Sequence, residues 1–148
     1  FWKEMGADAT PMSWSEAYTA LQQGALDGQE NPSTVILTNN VAQVNDRLAV
    51  TEHAYSTVFL VMSPATWASL GAEYQQIFTD VMKECSVSER ELSREMDAEA
   101  IGQLMEQGMS VTYPDKQEFV DKAAGLYTEW ETEYGDVITR IRNLSAAN

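Results

Sequence analysis

The chain has 148 residues, with 9 basic and 23 acidic side chains, a formal net charge of −14 and a sequence pI near 4.2. Such a field repels phosphate backbones and anionic lipid surfaces, which argues against nucleic acid and membrane-surface partners. Hydrophobic residues make up 44%, enough for one core and too many for a disordered chain, while one Cys and one His exclude an internal disulfide, a CxxC pair and a Cys/His zinc cluster.

The opening Phe1-Trp2-Lys3-Glu4-Met5 has neither the charged start nor the apolar stretch of a secretory signal. An exposed Phe-Trp is a poor opening for a domain, so a start inside a larger protein, or after processing, is expected. Gly6 to Met12 suits a loop or brief strand. Ser13-Trp14-Ser15-Glu16 matches a capping box, in which the Ser13 hydroxyl accepts from the Glu16 amide and the Glu16 carboxylate reaches back, so a helix should start there. Ala17, Tyr18, Ala20 and Leu21 give that helix an apolar side, and Gly24 is placed to close it in a left-handed conformation. Asp27-Gly28-Gln29-Glu30-Asn31 then reads as a polar turn, and Pro32 suits the first turn of a second helix, where its missing amide hydrogen costs nothing.

Leu48-Ala49-Val50 and Thr57 to Met62 are β-rich and flank polar Thr51-Glu52-His53, which predicts two short strands joined or interrupted near His53. Val58 to Met62 is the longest purely apolar run, far short of the roughly 20 residues of a membrane span, and reads as a buried strand. Ser63-Pro64 looks like an N-cap followed by proline at the first helical position. From Glu73, Tyr74, Ile77, Phe78, Val81, Met82 and Cys85 follow helical spacing, and Leu92, Met96, Ile101, Leu104 and Met105 extend it to Gly108 as one long or once-bent helix. Met109 to Tyr113 alternates as a strand, Asp115 can cap another helix, and Phe119, Leu126, Trp130, Tyr134, Val137 and Ile141 continue it with a break at Gly135. Acid is concentrated in residues 73–148, where it reads as a solvated helical face. The fold class implied is α/β and helix-rich, with three or four weak strands, as if strands from elsewhere complete the sheet.

No Gly-rich phosphate loop, GxSxG elbow or HExxH is present, so no catalytic residue, metal site or cofactor is expected. His53 is the only imidazole and no Ser occupies a recognisable nucleophile turn, which leaves a serine-type triad unsupported. At a strand end, His53 is either a structural hydrogen-bonding residue or a ligand contact. Cys85, on the apolar side of its helix, reads as an inert buried thiol, and Glu89, Glu91 and Glu95 as part of the wet face. The turn before Pro32 differs, because it sets hydrogen-bonding side chains beside a helix start, where free amides and the dipole favour an anion. Asn31 can donate to a carboxylate oxygen without carrying charge; a plain capping turn is the other reading.

The run from Gly6 to Pro32, including Thr10-Pro11-Met12, Glu16-Ala17-Tyr18-Thr19-Ala20-Leu21-Gln22 and Asp27-Gly28-Gln29-Glu30-Asn31-Pro32, closely resembles the substrate-binding receptors of TRAP (tripartite ATP-independent periplasmic) transporters. The similarity continues through Thr51-Glu52-His53 into the helical C-terminal part, and is to the C-terminal half of such a receptor only. It implies a two-lobed α/β trap, not an enzyme, that captures an organic acid in the periplasm and delivers it to a membrane permease. About 1–56 and 97–148 would belong mainly to one lobe and about 57–96 to the other, with the sheet incomplete without the N-terminal half. The resemblance implies that Asn31 hydrogen-bonds the carboxylate, that Trp14 packs on the ligand body where most members carry Phe, that His53 lies close to the site, and that Val35 lines the pocket one turn beyond Asn31. The family's carboxylate-binding Arg, on a strand before this chain's start, is matched by none of Arg47, Arg90, Arg94, Arg140 or Arg142, so weak or no binding is expected of the chain alone. Open sheet edges would pair with the missing half or with a second copy. The rival reading is a stand-alone acidic helical module that self-associates and binds no small molecule.

Overall fold

The computed structural model describes residues 1–146, which divide into two compact units. One comprises Trp14–Leu48 and Tyr55–Thr112; the other comprises Phe1–Ser13, Ala49–Ala54 and the described residues from Tyr113 onward.

The first unit opens with α1 (Trp14–Gln22), which begins directly after Ser13 as the capping box requires and buries Ala17 and Leu21. Gly24 ends it with φ +69°. The Ala25 amide reaches the Ala20 carbonyl at 2.8 Å and the Gly24 amide reaches Leu21 at 3.1 Å, the paired bonds of a Schellman cap. In the second helix, α2 (Ser33–Thr38), Pro32 stands one position earlier than the sequence suggested. It is the N-cap, with φ −57° and ψ 148°, and its carbonyl accepts from Val35 at 2.9 Å and Ile36 at 3.0 Å. After a 3₁₀ turn (Val41–Gln43) comes β1 (Arg47–Ala49). Ser63 caps α3 (Pro64–Ser69), its hydroxyl accepting from the Thr66 amide at 3.2 Å, with Pro64 at the first helical position.

The long helix is a single element, α4 (Gly71–Glu106), and β2 (Ser110–Thr112) follows it. The strands β1 and β2 are neighbours in one two-stranded sheet. The Ser110 amide reaches the Asp46 carbonyl at 2.8 Å and the Thr112 hydroxyl the Leu48 carbonyl at 3.4 Å, so the register advances in the same direction along both strands. Packing of α2 on α4 places Ile36, Val41, Leu48, Ala100, Leu104 and Met109 in the core, with Ala100 and Leu104 at 0% exposure.

Two expectations fail in this unit. Thr57 to Met62 forms no strand, and Val58, Phe59, Leu60 and Val61 are 87%, 78%, 66% and 84% exposed, so the predicted buried strand is instead a naked apolar segment. Its composition suits a strand buried on both faces, but the described strands offer it neither a hydrogen-bonding neighbour nor a cover. For the same reason Cys85 is exposed rather than buried. The apolar stripe of α4 is buried at Ala100 and Leu104 and half-covered at Phe78, where Trp67 of α3 meets it edge-on at 6.1 Å, while Tyr74, Ile77 and Val81 face water.

The second unit holds α5 (Lys116–Tyr134) and α6 (Asp136–Ala146), which pack on each other. Asp115 caps α5 by accepting from the Gln117 amide at 2.9 Å, and Gly135, at φ +59°, makes the expected break. Arg142 pairs with Glu131 at 2.6 Å and lies 5.8 Å from the Tyr127 ring centroid. Phe1 and Trp2 are half-buried rather than exposed: Phe1 stacks 6.2 Å from Phe119 and packs edge-on against Trp2 at 5.0 Å.

Candidate functional site

Trp14, Asn31 and Val35 all lie in the first unit, and each is half-buried. Asn31 stands outside the helix, just before the capping Pro32, so the helical one-turn relation expected between it and Val35 does not apply. One hydrogen of its side-chain amide goes to Gln29 Oε1 at 2.6 Å, which orients the group across the polar turn. The amide nitrogen carries two hydrogens, so this bond does not exhaust its donor capacity.

Trp14, the first residue of α1, donates its indole N–H to Asn39 Oδ1 at 2.8 Å. Asn39 is the C-cap residue of α2, and its Nδ2 donates to the Val35 carbonyl at 2.9 Å. Thus Trp14 and Val35 are joined through a side chain that the sequence did not single out. A residue with both a donor and an acceptor, 25 positions from the indole, leaves no periodic trace in sequence. Gln29 was legible only as part of a polar cluster.

His53 belongs to the second unit. Its Nδ1 lies 2.8 Å from the Thr51 hydroxyl, its ring stacks on Phe1 at 5.2 Å and 14°, and Trp2 meets it edge-on at 4.7 Å. The loop that carries it contains Glu52 at φ +46°, an uncommon conformation for a side chain of that size, and Glu52 is paired with Lys116. Among the described residues no group of three or more His, Cys, Asp or Glu could hold a metal ion, and no helix is long and apolar enough to cross a membrane.

Comparison with known proteins identifies the family of the chain. The sequence model for bacterial extracellular solute-binding proteins, family 7 (DctP), matches residues 1–133. The sialic acid-binding periplasmic protein SiaP of Vibrio cholerae serotype O1 is 34% identical over 136 residues, covering 92% of this chain and 42% of that protein. The 2,3-diketo-L-gulonate-binding periplasmic protein YiaO of Escherichia coli K12 is 32% identical over 120 residues, covering 80% of this chain and 37% of that protein. Among solved structures, a TRAP periplasmic solute-binding protein from Polaromonas sp. JS666 bound to D-erythronate matches with a TM-score of 0.84 and 35% identity, over 93% of this chain and 46% of that one. One from Haemophilus influenzae with bound L-gulonate matches with a TM-score of 0.87 and 29% identity, over 95% and 48%. The chain spans less than half the length of each of these relatives. That share accounts for a helix-rich body with, among the described residues, a two-stranded sheet. The chain belongs to the DctP family of TRAP solute-binding proteins, bacterial extracellular solute-binding proteins of family 7.

Proposed function

We propose that this chain is the C-terminal half of a periplasmic TRAP receptor that captures an organic acid and hands it to a membrane permease, without catalysing a reaction. The observation that carries the reading is the family match over residues 1–133, joined to relatives whose structures hold sugar acids. In this reading Asn31 donates to the ligand carboxylate, Trp14 packs on the ligand body, Val35 walls the pocket and His53 contacts the ligand or a water beside it. About 1–56 and 97–148 contribute mainly to one lobe and about 57–96 to the other. The half-buried positions of Trp14, Asn31 and Val35 in one unit support it.

An arginine from the missing half would supply the ion pair to the carboxylate, and truncating such a buried pair costs roughly 2 to 5 kcal/mol. At about 1.4 kcal/mol per factor of ten, the chain alone binds weakly. Titration calorimetry with D-erythronate, D-glucuronate, L-gulonate and sialic acid tests this. Heats that saturate only in the millimolar range are expected, whereas micromolar binding by the isolated chain would show the upstream arginine to be dispensable. A second reading, a self-associating module that binds no small molecule, is favoured by one observation, the exposed Val58 to Val61 segment.

A further inference from the structure

The Trp14 indole is held by a bond whose geometry restricts what the ring can offer a solute. Asn39 uses both ends of its side-chain amide: Oδ1 receives the indole N–H at 2.8 Å, while Nδ2 donates to the Val35 carbonyl at 2.9 Å and to the Thr38 hydroxyl oxygen at 3.5 Å. Only one orientation of the amide satisfies both, since the indole nitrogen can only donate and the carbonyl can only accept. The backbone amide of Asn39 also donates to the Val35 carbonyl, at 3.1 Å, so the residue is fixed at the end of α2 by its main chain and its side chain together. The side-chain bonds to Trp14 and Val35 are partly withdrawn from water, where a lost partner is costlier than at the surface.

We propose that Asn39 is a positioning residue that consumes the Trp14 indole N–H and locks the ring, so that Trp14 meets a bound solute only through its π face. The proposal rests on the reading of Trp14 as a ligand contact. Its consequence is a specificity rule. This wall rewards an acid that turns a patch of C–H groups toward the ring, and gives no hydrogen bond to a hydroxyl or carboxylate oxygen placed there. A tryptophan with a free N–H would reward the opposite orientation.

The test uses the full chain labelled with ¹⁵N at the tryptophan side chains, with Trp14→Phe identifying the Trp14 signal. In the unmodified chain the Trp14 Nε1–H should exchange slowly with solvent, and in Asn39→Ala it should exchange as fast as an exposed indole. Equal rates in the two proteins overturn the lock. On addition of D-erythronate, D-glucuronate or sialic acid, ring C–H signals of Trp14 should move while its Nε1–H stays in place. A ligand-induced shift of that N–H of the kind a new hydrogen bond causes overturns the face-only contact. Asn39→Ala should weaken binding roughly threefold to tenfold and should have no further effect in the Trp14→Phe background. A loss of the same size in that background would overturn action through the indole and leave Asn39 as a helix cap alone. If the N–H is protected but an acid that calorimetry shows to be bound at millimolar concentration does not perturb the ring, the lock stands and the ligand reading of Trp14 is what fails.

Discussion

Asn31 shares its amide with Gln29 across a half-buried turn, and this decides what its removal should do. Gln29 can exchange the lost partner for water, so the ligand-free fold should barely notice Asn31→Ala: the melting temperature should stay within about 2 °C, while affinity for an organic acid falls roughly tenfold. A large drop in melting temperature without ligand would instead mark Asn31 as a structural cap. Gly24 is the contrasting residue, because its conformation rather than its contacts matters. No atom lies within 4 Å of a Cβ added there, but φ is +69°. Gly24→Ala should therefore cost about 1 to 2 kcal/mol by strain alone, read as a lower urea midpoint with an unchanged m-value. Position by position, caps and turns were legible in the sequence: Ser63, Asp115, Gly24 and Gly135 all act as their residue types suggest, because each acts on backbone within a few positions of itself. Asn39 was not legible, since its partner Trp14 lies 25 residues away and depends on how α1 and α2 meet.

At the scale of elements, the helices follow their sequence signals and the strands only partly do. The helical spacing between Glu73 and Gly108 predicts one long or once-bent helix, and the 36-residue α4 is the single element. Helical hydrogen bonds are made within the element, so local sequence suffices. A strand needs a neighbour, and β-rich Thr57 to Met62 has none among the described strands. From Ala54 to Ala72 no side chain is charged, so the apolar segment also lacks the charges that keep an unpaired strand from meeting another. Phe59→Lys should therefore lower the scattering mass of a concentrated solution while far-UV circular dichroism stays the same. Unchanged association would show that contacts between copies form elsewhere.

For the whole molecule, charge and apolar exposure oppose each other. A net charge of −14 should keep copies apart at low salt, whereas the exposed segment should draw them together over short distances. Screening weakens the first and leaves the second, so association measured by light scattering should increase from low to high ionic strength. A monomer that stays monodisperse at high concentration and high salt would contradict this balance. The shortage of paired strands is intelligible at this scale too, because the relatives that match most of the chain are each more than twice as long as the part it covers.

The sequence by itself determined the helices with their caps and breaks, the acidic solvated faces, the exclusion of an internal disulfide and of a Cys/His zinc cluster, and the family. All of these depend on residue type and short-range spacing. Tertiary structure alone decided that Val58 to Val61 and Cys85 face water, that Trp14 spends its indole N–H on Asn39, and that His53 packs among Phe1 and Trp2 in a different unit from Asn31. Burial and long-range hydrogen bonds depend on which elements come together, and an apolar sequence states only that a partner is wanted, not that one is present.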